Sequence, residues 1–259
     1  MEVKTKSAVS SGYIEDCLAK YGNVTNRPTE DSNVVVLGAV EGNIGGIISE
    51  ALDAEGYKSV TGWDRVDGDL IQRQPKLSEL YKDTDCLIMC QGTTMINWIE
   101  NQNDYSIAKQ INDSLVSHII QTNEYVKQSI DRAYRKVIIY VGSMAYRSVL
   151  NGSSVYCAAK AGLNMFARCM AWELAPKGYD VYVIHPGNVK DSPMARSTIK
   201  QLAEYRGLTP LEAELYWNTG NPRNTILTPY NIAELVCQLC HGTLQYCAGN
   251  PIDLTGGQR

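Results

Sequence analysis

The 259-residue chain has no surplus of positive charge: 24 basic side chains stand against 28 acidic ones, for a net charge of −4. Such a balance offers no general attraction to a polyanion, so nucleic acid is not expected as a partner. No apolar run approaches the roughly 18 residues a bilayer span requires, and no membrane association is expected. The opening MEVKTKSAVSSGY carries lysines but no apolar segment of the kind that forms a secretion signal. Eight cysteines scattered over this length do not make a disulfide framework, and a reduced, cytoplasmic compartment is the expectation. Repeats, low-complexity tracts and an interdomain linker are also missing. Histidines are few, and none of His118, His185 and His241 has a serine or cysteine at a readable spacing, so all three are read as structural. Cys237, Cys240 and His241 imitate a metal or haem spacing, but no second ligand pair lies nearby. The same stretch, residues 232–240, reads as an amphipathic helix with Leu235, Val236 and Leu239 on its apolar side, and no metal is expected.

What the chain does have is alternation. Short β-branched runs at residues 34–37, 59–63, 86–90, 137–141 and 181–184 are separated by segments of helical period. That is the pattern of an α/β fold, a parallel sheet with helices on both faces, and continuously apolar strands suit burial on both sides. A long helix is expected over residues 105–130, where Ile111, Leu115, Ile119, Val126 and Ile130 keep one apolar stripe. Another is expected over residues 153–175. Two parts stand outside the alternation. Residues 1–32 precede the first strand, and residues 11–21 within them can form a short helix, packed on a neighbouring subunit or loosely held. Residues 191–228, broken by Pro193, Pro210 and Pro222, follow a strand end, where ligand-binding loops gather, and are read as a mobile substrate lid.

The first strand runs into Gly38, Gly42, Asn43, Ile44, Gly45 and Gly46, and then into a helix expected over residues 47–55. Glycines let the backbone turn sharply and approach a pyrophosphate, which sits on the helix N-terminus against its free N–H groups. Asp64 ends the second strand, 19 residues after Gly45, where a carboxylate can accept both hydroxyls of an adenosine ribose. Ser143 follows the strand at 137–141, and Tyr156 and Lys160 lie four apart on one helix face. An ammonium near a phenol stabilises the phenolate, so the tyrosine pKa is expected to fall from about 10 toward neutrality. A tyrosine so tuned can exchange a proton with an alcohol oxygen.

In these motifs the chain resembles the short-chain dehydrogenase/reductase family over about residues 33–257. The spacing of Ser143, Tyr156 and Lys160, the helix sequence from Tyr156 through Ala175, the Pro186-Gly187 turn and the closing Gly256-Gly257 all resemble it. The resemblance implies a single Rossmann-type, doubly wound domain, with Asn112, Ser143, Tyr156 and Lys160 as catalytic residues. Asn112 would link Lys160 to solvent through a water. It implies a dinucleotide held by Gly38, Gly42, Asn43, Ile44, Gly45, Asp64, Arg65, Asp69, Leu70, Cys90, Gln91, Gly92, Tyr156, Lys160, Pro186, Gly187 and Val189. A homotetramer or homodimer built through the long helices is implied as well.

The departures are local. The glycine loop is one residue longer than the family pattern, which gives Asn43 and Ile44 new backbone roles. Met89-Cys90-Gln91-Gly92 replaces Asn-Asn-Ala-Gly, and Asp191-Ser192 stands where a threonine is usual. Glu41 and Asp64 would repel a 2′-phosphate, whereas Arg65 would attract one. NAD(H) is therefore expected, with NADP(H) as the other candidate. The expected reaction interconverts a small secondary alcohol and a ketone. Two rivals share the fold: a nucleotide-sugar epimerase or dehydratase, and a non-catalytic dinucleotide-binding sensor.

Overall fold

The computed structural model describes residues 27–129, 134–218 and 226–258. Six strands form one sheet: β1 Asn33–Leu37, β2 Ser59–Trp63, β3 Cys86–Met89, β4 Lys136–Val141, β5 Tyr179–Pro186 and β6 Pro251–Leu254. Every neighbouring pair is parallel, in the order β2-β1-β3-β4-β5-β6. The helices between them are α1 Ile44–Ala54, α2 Pro75–Tyr81, α3 Asp104–Ile111, α4 Ser117–Ser129, α5 Ser154–Leu174, α6 Pro193–Arg206, α7 Pro210–Asn218 and α8 Pro229–Cys240.

Strand residues alternate between two cores because successive side chains point to opposite faces. Val34, Val36, Ile88, Ile139 and Ile184 pack with α1 and α8, through Ile48, Leu52, Ile232 and Val236. Val35, Leu37, Leu87, Ile138 and Val183 pack with α2, α4 and α5, through Leu77, Tyr125 and Leu163. Burial on both faces is what turns the central strands β1, β3 and β4 into apolar runs, and it confirms the expected doubly wound α/β architecture. From β1 the chain turns outward to β2, then crosses back to β3 on the other side. The β1/β3 boundary is therefore the switch point at which α/β sheets open a crevice at their carboxyl edge.

Several boundaries move. β5 is longer than expected because Tyr179, Asp180, His185 and Pro186 continue the ladders with β4 and β6. α1 starts at Ile44 rather than at residue 47, since Asn43 caps it there by accepting the Gly46 N–H through its side chain at 2.9 Å. The helix expected to run unbroken over 105–130 is interrupted by a π-turn, Asn112–Val116, between α3 and α4. Buried Gln110 and Ser114 hold the neighbouring loop there: Gln110 Oε1 accepts from Met95 N at 3.0 Å and Ser114 Oγ from Thr93 N at 3.1 Å. A wide turn lets both side chains face that loop, a common use of π-turns. The helix expected over residues 11–21 lies outside the described residues. Cys237 and Cys240 are core residues beside Cys86 and Tyr57, and His241 stacks on Tyr57.

At the amino edge of the sheet, Lys136 Nζ meets Asp85 Oδ1 at 2.6 Å, with both side chains almost wholly buried. Asp85 Oδ2 also accepts from Asn33 N at 3.0 Å and Arg27 Nη1 at 3.2 Å. Removing one partner of a buried pair strands the other charge. Lys136→Met is expected to lower unfolding free energy by about 3 kcal/mol. Asp85→Asn in the same chain should recover part of that loss, as urea titration of the three proteins would show.

Candidate active site

The carboxyl ends of β1, β3, β4 and β5 open onto one cavity of about 950 Å³. One end is walled by Gly38, Asn43, Ile44 and Gly45 with Asp64 and Arg65; Cys90, Gln91 and Gly92 line the middle. Ser143, Tyr156, Pro186, Gly187 and Val189 close on the same space. Besides Lys160, which lies behind its wall, three expected cofactor contacts are not brought to it. Gly42 is an exposed turn residue at φ +73°. Asp69 folds back on itself, its Oδ1 accepting the Ile71 N–H at 3.1 Å. Leu70 is buried in the core, and its carbonyl accepts from Gln121 Nε2 at 2.7 Å. An aspartate favouring a local turn, and a leucine favouring burial, account for both.

The glycine loop works by close backbone approach. A Cβ on Gly38, which sits at φ +77°, would come within 2.8 Å of Gln91 N, so the loops after β1 and β3 touch through bare backbone. A Cβ on Gly45 would collide with the Gly38 carbonyl. Asn43 ties this arrangement together, donating from Nδ2 to Gly38 O at 3.1 Å while it caps α1. Both bonds come from its side chain, not from the backbone role expected of it in the lengthened loop. Gln91 Oε1 is buried with no partner among the described residues, an acceptor facing the cavity wall. Bare backbone, a helix N-terminus and the carboxylate of Asp64 suit an extended ligand that carries phosphates and a ribose. Asp191 takes a left-handed conformation, φ 61°, and is exposed, while Ser192 caps α6 through the Ala195 N–H at 3.1 Å. The cavity is therefore met by Ser192, not Asp191.

Lys160 lies buried beneath the cavity wall, its Nζ donating to the Val141 carbonyl at 3.2 Å, the last residue of β4. It stands 5.8 Å from the centre of the Tyr156 ring. Burial lowers the Lys160 pKa to about 8, opposed by the neighbouring Cys90 thiol. Tyr156 moves the other way: burial pushes it up to about 12, against a hydrogen bond from Ser143 that favours the phenolate. The expectation that the ammonium brings the phenol toward neutrality is thus corrected. Both groups have lost water; for Tyr156 desolvation outweighs the Ser143 hydrogen bond, and for Lys160 it outweighs the influence of Cys90. A Cβ on Gly92 would lie 3.4 Å from both Lys160 Nζ and Ser114 Oγ, so both border the same glycine. The Ser114 hydroxyl is buried and exchanges hydrogen bonds with the Thr93 main chain. Asn112, the expected catalytic residue, begins the π-turn and is half-buried.

The short chain dehydrogenase family model matches residues 69–203, more than half of the chain. Sorbitol-6-phosphate 2-dehydrogenase of Escherichia coli (strain K12) is 26% identical over 184 residues, covering 70% of each protein. 3-oxoacyl-[acyl-carrier-protein] reductase FabG of Rickettsia felis is 27% identical over 188 residues, 73% of this chain and 70% of that protein. Among solved structures, sorbitol-6-phosphate 2-dehydrogenase from Erwinia amylovora superposes with a TM-score of 0.78 at 22% identity, over 88% of this chain and 99% of that one. Actinorhodin polyketide ketoreductase with NADPH gives 0.77 at 19% identity, over 89% and 98%.

A buried ammonium with a depressed pKa costs folding energy. Below pH 8 both folded and unfolded chains hold the Lys160 proton and the cost is fully present. Between about 8 and 10.5 the folded chain releases it first, and stability rises. Lys160→Met is therefore expected to stabilise the ligand-free protein at pH 7 by roughly 1–3 kcal/mol. That gain should shrink as pH rises through 8 toward 10.5, which denaturant midpoints for the two proteins across that range would reveal.

Proposed function

On the premise that this chain belongs to the short-chain dehydrogenase family, we propose that it interconverts a secondary alcohol and a ketone with a nicotinamide dinucleotide. The observation that carries this reading is that Ser143 and Tyr156 face the cavity that the glycine loop also lines, with Lys160 buried behind its wall 5.8 Å from the Tyr156 ring centre. The site residues fit such a cofactor: Gly38 and Gly45 leave backbone bare, Asp64 faces the same space, and Gln91 holds an unpartnered acceptor. When bound, the nicotinamide supplies or accepts the hydride.

The chain's own groups manage the proton. With its pKa at about 12, Tyr156 keeps its proton at neutral pH and can hand it to an oxygen that gains charge as a ketone is reduced. Ser143 bonds the phenol now and would share the reacting oxygen, stabilising its developing charge. Lys160, charged below about pH 8, stabilises the phenolate left behind. Asn112, at the start of the π-turn, is the residue we propose links the lysine to solvent through a water.

NAD(H) is the cofactor we favour. Asp64 lines the cavity, and a 2′-phosphate there would meet its charge. The opposing cation, Arg65, lines the same end but is paired: its Nη2 bonds Asp113 Oδ2 at 3.2 Å, a carboxylate that also accepts Lys109 Nζ at 2.8 Å. That NADPH accompanies the actinorhodin ketoreductase is a property of that protein. The substrate end of the cavity is largely apolar, with Ile96, Val149, Met194, Leu202 and Trp217 in its wall. A ketone carried on an apolar body suits it, and α6 and α7 of the expected lid supply three of those residues. Exposed Met165 and Trp172 on α5 support the reading of that helix as a face for self-association.

Two measurements test this. Titration with NADH and NADPH, followed by nicotinamide fluorescence, should give tighter binding of NADH, and Asp64→Ser should narrow the difference about tenfold. Tyr156→Phe should reduce turnover of ketones by at least about 10³-fold while NADH binding stays within about twofold. Full activity in that variant would dismiss the mechanism. Cofactor binding without turnover of any carbonyl by the natural protein would favour a sensor.

A further inference from the structure

His185, near the end of β5, is wholly buried, and the function above gives it no part. Its ring lies directly behind Ser143. Nδ1 is 3.2 Å from Ser143 N and 3.0 Å from Ser143 O, and Nε2 is 3.0 Å from Asn164 Oδ1 on α5. Either neutral tautomer therefore ties the imidazole to the Ser143 main chain. With the proton on Nε2, Asn164 accepts it and Nδ1 accepts the Ser143 N–H. With the proton on Nδ1, the ring donates to the Ser143 carbonyl.

The rest of the loop is shaped around the ring. Gly142 has no room for a side chain, since a Cβ there would lie 2.5 Å from Nδ1. Tyr146 stacks on the imidazole with centroids 3.8 Å apart and planes within 20°. Arg147 in turn donates to Asp253 Oδ2 of β6 at 3.0 Å. Burial lowers the imidazole pKa to about 4, so the ring is neutral at physiological pH and adds no charge beside Lys160.

We propose that His185 is a positioning residue: held by Asn164 and Tyr146, it fixes the Ser143 main chain, and so the direction in which the Ser143 hydroxyl meets the reacting oxygen. This rests on the role given to Ser143 above. The residue acts through Ser143 and touches neither substrate nor cofactor. A shift of about 1 Å in a reacting group can cost on the order of 10²-fold in rate.

The experiment is a double-mutant cycle on the full chain, with His185→Phe and Ser143→Ala alone and together. Ketone reduction, NADH binding and the thermal midpoint are measured for each. Phenylalanine keeps the stack on Tyr146 and removes both nitrogens. We expect His185→Phe to lower kcat about 10- to 100-fold with NADH binding within about twofold, and to cost less than about twofold more once Ser143 is alanine. The same loss in both backgrounds would overturn the proposal, because the ring would then act independently of Ser143. An unchanged kcat in the single variant would overturn it too. If Ser143→Ala alone leaves turnover intact, the role given to Ser143 fails first, a separate result. Should His185→Phe not fold, His185→Gln takes its place in the same cycle, read by the same two criteria.

Discussion

Beneath the carboxyl edge of the sheet, the Lys160 ammonium is out of water with the Val141 carbonyl as its protein acceptor, and the surroundings are arranged to tolerate it. The last carbonyl of β4 is available because the ladder ends there, and the first turns of α5 bring the lysine to it. Gly92 borders the lysine; a Cβ there would touch both the ammonium and Ser114 at 3.4 Å. Cys90, whose own thiol is held neutral by burial, sits where a bulkier or charged group would alter the lysine further. A buried cation contributes nothing favourable to folding by itself. Its retention behind the wall of the cavity at the carboxyl edge is the kind of local cost that accompanies function rather than packing.

The cofactor end follows a different rule: backbone meets backbone. The loops after β1 and β3 touch across the topological switch point because Gly38 carries no side chain, and Asn43 holds that loop to the start of α1. The extra residue in the glycine loop is absorbed here. Asn43 accepts the Gly46 N–H, so one of the free donors at the start of α1 is satisfied within the loop while the approach of bare backbone is kept.

The fold was legible because its signals were local and redundant. Val34, Val35, Val36 and Leu37 announce a strand buried on both faces whatever surrounds them, and the two cores confirm it. That Ser143 and Tyr156 come to one cavity could be read for the same reason, their spacing being set by one loop and one helix. What could not be read depended on contacts distant in sequence. The π-turn exists because Gln110 and Ser114 hold the loop at residues 93–95, and no periodicity in residues 105–130 encodes that. Asp69 and Leu70 looked like ligand contacts as a pair, yet one closes a turn and the other fills the core. His185 was taken as structural because its partner, Ser143, is 42 residues away.

The pKa error has the same origin and matters most for the chemistry. A spacing of four places an ammonium near a phenol, but it says nothing about the water that each loses. In the folded protein Tyr156 rises to about 12 and Lys160 falls to about 8, so neutral pH leaves the phenol protonated and the amine charged. That pairing suits proton donation to a developing alkoxide, with the cation already in place for the phenolate that remains. The reverse reaction needs the phenolate first, and desolvation opposes its formation. The serine then carries more of the burden, because its hydrogen bond is the principal influence drawing the Tyr156 pKa down. A site that relies on one hydroxyl in this way has reason to hold that hydroxyl from behind, through a neutral ring that cannot itself compete for the proton.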